Sequence, residues 1–256
     1  MNYLKEFNFA KKLVKDVYKK VIKNPIETVV EKADTTLVTD IDVAVEDYLI
    51  SNISKKYPLD RFVTEERNPD NQAIGRTWVI DPIDGTVCFI KGLPTWGIQL
   101  AFVDNDITQF SIIYLPKLHE LYTCIRGKGF EVNCKSLPPL KDNKLKESVT
   151  EYCGRIGVKN NLIIAQIYQS VDDSVKNQFA FGSASSSFVN LATGRCDAMI
   201  SGCKSPWDLY AGEFMATERG IRVYRSKDTG VTIYSSSSEL FSKLKSTLKE
   251  LEKQYK

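Results

Sequence analysis

The sequence has little imidazole and no paired-thiol motif: His119 is its single histidine, and its six cysteines form no C-x-x-C. A Ser-His-Asp triad and a Cys/His zinc site are therefore poorly supplied. The spacing of Cys88, Cys124, Cys134, Cys153, Cys196 and Cys203 does not resemble a small secreted disulfide scaffold. They read as free thiols, mostly buried, in a reducing cytoplasm. No stretch of ~18 apolar residues occurs, which excludes a transmembrane helix and a membrane partner. Charges interrupt every apolar run of the opening MNYLKEFNFAKK, so no signal peptide is expected. Charge of one sign is also missing. Lys+Arg 35 against Asp+Glu 32 leaves +3, too small an excess to make nucleic acid the partner.

What is present is an ordinary globular balance, 43% hydrophobic and 26% charged over 256 residues, enough for one large domain with a sizeable core. Apolar residues at helical spacing run from Leu4 through Phe7, Ala10, Leu13, Val14 and Val17 to Ile22, and predict an amphipathic helix ending near Asn24-Pro25. A second helix is expected from Asp40 to Tyr57. Strands follow at Arg61–Thr64, Thr77–Asp81, Trp96–Val103, Ile107–Leu115 and Glu120–Arg126. Beyond Lys141 the elements mix, with strands near Ser148–Tyr152, Asp197–Ile200, Ile221–Arg225 and Val231–Tyr234. Helices are expected near Leu162–Ser170, Ala184–Ala192 and Asp208–Arg219. A capping box at Ser236 and Glu239 opens the last helix. No repeat or flexible linker appears. The chain reads as layered α and β, with halves at 1–140 and 141–256.

Four acidic stretches stand out. Phe62-Val-Thr-Glu65-Glu66 ends a strand in two carboxylates. Trp78-Val-Ile-Asp81-Pro82-Ile83-Asp84-Gly85-Thr86 delivers two more at the end of an apolar strand, where Gly85 and Thr86 open a turn or short helix whose free N–H groups can cradle an anion. Ser205-Pro206-Trp207-Asp208 begins a helix, and Leu37-Val-Thr39-Asp40-Ile41-Asp42 begins another. Each has a local reading as helix capping: Asp81 as N-cap with Pro82 at N1, Ser205 as N-cap with Asp208 at N3, and Thr39 paired with Asp42. Together they suggest more. Clustered carboxylates repel and need cations, and an oxygen-only donor set beside an anion cradle suits Mg²⁺ and a phosphorylated ligand. Elsewhere, His119 reads as a surface turn residue, Trp96 as sheet packing, and Phe179 and Phe181 as core.

The DPIDGT at 81–86 with GLP at 92–94, the EE at 65–66, LVTDID at 37–42 and WDLYAG at 207–212 resemble the inositol monophosphatase family of the fructose-bisphosphatase-like superfamily, over nearly the whole chain. The resemblance implies a single α+β domain, an αβαβα sandwich, and a phosphomonoesterase acting on a small phosphorylated sugar or polyol. Fructose 1,6-bisphosphate, NADP and a 3′-phosphonucleotide are alternative substrates; a catalytically silent binding protein is the alternative outside catalysis. It implies two or three Mg²⁺ ions held by Glu65, Asp81, Asp84, Asp208 and the Ile83 carbonyl. Asp84, Gly85 and Thr86 would hold phosphate, and Thr86, hydrogen-bonded to Asp42 with Glu65 nearby, would orient or deprotonate the attacking water. Lys32 would lie near the metal entrance. Gly182-Ser183-Ala184 matches the substrate-side turn, and Ser201 and Asp208 complete the substrate side. A homodimer is also implied. Four positions depart from the family pattern. Val87-Cys88 replaces a usual Thr-Asn, and Phe179 replaces a common basic residue. Ser201 stands where animal members carry an inositol-binding glutamate; a serine cannot reach as a carboxylate does. Lys204 offers contact to a second anionic group.

Overall fold

A computed structural model of the chain describes residues 3–23, 25–32, 35–154 and 159–254; Asn24, expected at the first helix end, lies outside them. Helix α1 (Leu4–Val17) passes through a π-turn at Tyr18–Ile22 to a hairpin of β1 (Val29–Glu31) and β2 (Leu37–Thr39). Helix α2 (Asp40–Lys56) leads to β3 (Arg61–Thr64) and β4 (Thr77–Asp84). A short helix α3 (Thr86–Ile90) precedes β5 (Gly97–Asp104), β6 (Ile107–Leu115), β7 (Glu120–Ile125), β8 (Gly129–Val132) and β9 (Lys135–Ser136). The second half runs through β10 (Val149–Cys153), α4 (Lys159–Ser170), β11 (Asn177–Phe179), α5 (Ala184–Thr193) and β12 (Ala198–Ser201). It ends with α6 (Pro206–Glu218), β13 (Arg222–Arg225), β14 (Thr232–Ser235) and α7 (Ser238–Gln254).

Among the described residues, β3 to β9 form a seven-stranded sheet in sequence order, parallel at β3–β4 and antiparallel beyond. A five-stranded sheet has the order β11-β10-β12-β14-β13. Strand alternation explains the layering. Trp78, Ile80, Leu100, Phe102, Phe110 and Ile112 project from one face of the first sheet into a cluster with α1 and α2. Val79, Ala101, Val103 and Ile113 project from the other face onto Phe188, Val189, Phe214 and Met215 of α5 and α6, which also meet Met199 and Tyr234 of the second sheet. The far face of that sheet, Tyr152, Ala198, Ile200 and Ile233, packs on Ile164, Ile167, Leu240, Leu244 and Leu248 of α4 and α7. The order is thus helices, sheet, helices, sheet, helices, the α+β sandwich expected. Both faces of β4 and β5 are covered, which is why all eight positions of each are buried.

Several boundaries differ from the sequence reading. Strand β4 runs on to Asp84, because Asp81 still pairs with Gln99 and Asp84 with Gly97 across a register shift that absorbs Pro82. Asp81 is therefore a strand residue and not a helix N-cap; α3 starts behind Gly85, which has φ +83°. Ser205 does occupy the N-cap position of α6 with Pro206 behind it, but its side chain makes no capping bond. The last helix is capped by Ser237, whose Oγ accepts the Leu240 N–H at 3.2 Å. Ser236 instead turns inward and its hydroxyl donates to the Asp197 carbonyl. Glu239 reaches across to the Leu145 N–H at 3.0 Å. Phe179, expected in the core, is 41% exposed and stacks on Phe181 at 5.5 Å. The β1–β2 hairpin had no sequence signal strong enough to name it. The exposed Val29 and Val30 bury little, so their pattern is not that of a core strand.

Candidate active site

Glu65 and Glu66 follow the last residue of β3, whose register with β4 (Thr64 opposite Ile80) brings them to the end of the strand that carries Asp81. Their turn is held from below by Glu46 of α2. This fully buried carboxylate accepts the Thr64 hydroxyl at 2.6 Å, the Glu66 N–H at 2.9 Å and the Arg67 N–H at 2.7 Å. Sequence reasoning missed Glu46. Its signal was there: an acid one helical turn after Asp42, on the face that also carries Ile41, Val45 and Leu49. Lys32 reaches over the turn, 2.9 Å from Glu65 and 2.5 Å from Glu66.

Asp81, Asp84 and Asp208 come together from two distant segments, their carboxylate oxygens within 4.8 Å of one another. Asp208 is brought there by the first turn of α6, with its peptide carbonyl 3.4 Å from the Gln99 amide of β5. Asp81 is 1% exposed, and its Oδ1 has no hydrogen-bond partner. Asp84 is better satisfied. Its oxygens accept the Ala184 N–H at 3.2 Å and the Ser185 N–H, so it caps α5. This approach requires glycine at 85: a Cβ there would sit 2.6 Å from the Ser183 Cβ, at a φ that L side chains rarely adopt.

Burial followed by mutual repulsion pushes the Asp81 carboxyl well above the ordinary carboxylate range, with Glu65, Asp84 and Asp208 as the charges. Asp208 is raised in the same direction, again chiefly by burial. Glu65 is pushed up to about 7 by burial, with Lys32 opposing. A buried acidic cluster with an unpartnered oxygen fits a divalent cation. The donors are all hard oxygens, and a cation would supply the charge and the contact that Asp81 lacks.

Thr86 Oγ1 lies 3.2 Å from Asp42 Oδ1 and 3.2 Å from the Ile83 carbonyl oxygen. Asp42 is itself fixed by the capping box at Thr39, accepting the Thr39 N–H at 2.9 Å. Burial raises Asp42 to about 6, against the pull of these donors.

Glu65, Asp81, Ile83, Asp84, Gly85, Thr86 and Asp208 line a cleft of about 650 Å³ shared with Gly182, Ser183, Ala184, Cys153, Cys203, Lys204 and Trp207, with Asp42 fully buried behind Thr86. The Gly182–Ala184 turn is thus at the cleft, with two of its donors engaged within the chain. Ala184 N–H serves Asp84, and the Ser183 hydroxyl lies 2.5 Å from the Thr95 carbonyl while accepting the Ser186 N–H at 3.0 Å. Ser201, expected on the substrate side, is fully buried and is not part of the cleft wall; its Oγ accepts the Cys203 N–H at 3.1 Å. Lys204 is exposed on the cleft. His119 is an exposed turn residue, and Trp96 is fully buried against Phe89, both as expected. No helix among the described residues is long and apolar enough to cross a membrane.

The sequence pattern of the inositol monophosphatase family matches residues 4–254. The inositol-1-monophosphatase of Bacillus subtilis is 29% identical over 86% of this chain and 84% of its own length. The Nus factor SuhB of Escherichia coli is 31% identical over 74% of this chain and 72% of its own length. Among solved structures, a Thermotoga maritima IMPase superposes with a TM-score of 0.86 over 98% of this chain and 99% of that one, at 23% identity. That likeness shows the αβαβα fold.

Proposed function

The chain belongs to the inositol monophosphatase family, a family of phosphoric monoester hydrolases, and from that premise we propose a Mg²⁺-dependent phosphomonoesterase acting on a small phosphorylated sugar or polyol. The observation that carries the reading is the convergence of Asp81, Asp84 and Asp208 within 4.8 Å around the unpartnered Asp81 Oδ1, on the wall of the cleft.

Glu65, Asp81, Asp84, Asp208 and the Ile83 carbonyl would hold the metal. Bound there, Mg²⁺ supplies positive charge against the phosphoryl oxygens and makes water more acidic. The residues of the chain do the rest. The N–H groups of Gly85 and Thr86, at the start of α3 where helical partners are missing, receive phosphoryl oxygens. Asp42 holds the Thr86 hydroxyl, so that Thr86 orients the attacking water in line with the scissile bond. Glu65, beside it, takes the water's proton. A divalent cation held there would compete with the Lys32 ammonium for the Glu65 carboxylate, which Lys32 reaches at 2.9 Å. Ser201 offers no carboxylate to sugar hydroxyls, so selectivity rests on the cleft walls at Gly182–Ala184, Lys204 and Trp207.

A panel assay tests this reading. Phosphate release is measured with inositol 1-phosphate, fructose 1,6-bisphosphate, a 3′-phosphonucleotide and NADP, with Mg²⁺ and with EDTA. Mg²⁺-dependent release, ranked by kcat/KM with a polyol monophosphate first, is the expected result. Mg²⁺-dependent ligand binding without turnover on any substrate would overturn it in favour of a silent binding protein.

A further inference from the structure

The cleft wall contains a feature the proposed reaction does not use. Cys153 is the last residue of β10, and Cys203 lies in the loop between β12 and α6; their sulfurs are 3.5 Å apart. Both backbones are pinned beside each other. The Gly202 N–H donates to the Cys153 carbonyl at 3.0 Å, and the Cys203 N–H to the Ser201 hydroxyl at 3.1 Å. Both cysteines line the same cleft as Asp84 and Asp208. The other thiols with described neighbours face different atoms: Cys88 the Phe181 and Gly182 carbonyls, Cys134 the Lys11 ammonium, Cys196 the Glu151 carboxylate.

We propose that Cys153 and Cys203 form a reversible oxidation site, a dithiol in the wall of the active cleft that closes to a disulfide and arrests the enzyme. The sulfurs need to approach by roughly 1.5 Å to reach disulfide length, a shift within reach of side-chain rotation. Cys203 is partly exposed, while Cys153 is 5% exposed, and this sets the order of events. A hydroperoxide is the oxidant. The Cys203 sulfur attacks one peroxide oxygen and becomes a sulfenic acid, and the first water leaves. The Cys153 sulfur then attacks the Cys203 sulfur and displaces its hydroxide, which departs with the Cys153 proton as the second water. Two thiols and one hydrogen peroxide give one disulfide and two waters; a small dithiol reverses it by exchange.

The bond would tie the end of β10 to the loop five residues ahead of Asp208, drawing in the segment that sets the start of α6. Arrest of turnover rests on the proposed phosphatase reading; formation of the bond does not.

The test treats the reduced full-length chain with hydrogen peroxide, blocks remaining thiols with N-ethylmaleimide and maps peptides by mass. The expected result is a cross-linked pair containing Cys153 and Cys203, with Mg²⁺-dependent phosphate release down about tenfold or more and restored by dithiothreitol. Cys153→Ser and, should that variant fail to fold, Cys203→Ser each lose the cross-link and keep their own untreated rate in peroxide. Full maleimide labelling of both cysteines after peroxide would overturn the site, and this readout holds even if no substrate of the panel is turned over. A cross-link that leaves the rate unchanged, or serine variants inhibited as strongly as the parent, would overturn the arrest.

Discussion

Asp84, at the end of β4, accepts the backbone N–H of Ser185 in the first turn of α5, across 101 positions of sequence. With the bond from Ala184, this places one buried carboxylate between the two sheets as both a helix cap and a member of the acidic cluster. The helix that it caps is packed on α6, which carries Asp208. The spacing between the two acids is therefore fixed by helix packing.

Asp84→Asn keeps the size of the side chain and removes its charge. Turnover with the best substrate should fall about 100-fold or more, the scale seen when a charged group at the reacting centre is lost. Steady-state phosphate release checks this, and normal turnover in the variant would remove Asp84 from the site.

The contact between α5 and α6 admits no side chain at Gly212. A Cβ there would lie 2.1 Å from ring atoms of the fully buried Phe188. Gly212→Ala should cost about 3 kcal/mol or more through overpacking and lower activity by displacing Asp208. Urea unfolding gives the stability, and Gly212→Ala with Phe188→Leu should recover part of it.

Glu46 touches no site carboxylate in the cleft, yet it holds the turn that carries Glu65. Glu46→Ala takes the acceptor from three donors, one of them the fully buried Thr64 hydroxyl, and should destabilise the chain by about 2 kcal/mol. Glu46→Gln retains one carbonyl oxygen and should recover part of that loss. If Glu46 positions Glu65, the Gln variant will also need more Mg²⁺ for half-maximal activity, a shift that a purely structural residue would not produce.

The buried acids set a pH dependence. Glu65 and Glu151 are raised to about 7, both chiefly by burial, from an unfolded value of about 4.5. The folded chain therefore holds protons that the unfolded chain has released. The stability they contribute is complete below about pH 4.5 and is lost as pH rises through about 7. Without metal, the melting temperature should fall between about pH 5 and about pH 8. Mg²⁺ should restore it most at the upper end, where the Glu65 group is ionised. Glu151 lies away from the cluster, bonded to Ser187 and Asn190, so its share persists with Mg²⁺ present. Glu151→Gln should flatten the slope by an amount on the order of 3 kcal/mol across that range. A melting temperature independent of pH in both forms would contradict this.

Much of this was legible because apolar periodicity and local capping chemistry agree with the fold. Thr39 and Asp42 form the box that their spacing announces, and the alternation of β5 and β6 sorts their side chains to two cores. The four acidic stretches were visible individually, and family resemblance assembled them. Less was legible where tertiary contact overrides a local rule. Asp81-Pro82 has the pattern of a helix start but stays in the sheet because Gln99 and Gly97 pair with that segment. Ser236 looks like a cap but is taken by the Asp197 carbonyl. Ser201 sits at a substrate-side position in sequence but turns inward toward Cys203. Glu46 stands one helical turn after Asp42 among buried apolar residues, which marks it as an acid with a buried partner, but the partner is a turn twenty residues away that the local pattern does not name.

In the proposed reaction Asp81, Asp84 and Asp208, with Glu65, gather to hold a divalent cation. Diffraction from crystals soaked in Mn²⁺, chosen because its anomalous signal distinguishes it from water, tests this most directly. The expected result is an anomalous peak coordinated by Asp81 Oδ1 and by Asp84 and Asp208, with Glu65 released from Lys32. An occupied lattice with no peak among these carboxylates, and Lys32 still paired with Glu65, would contradict it.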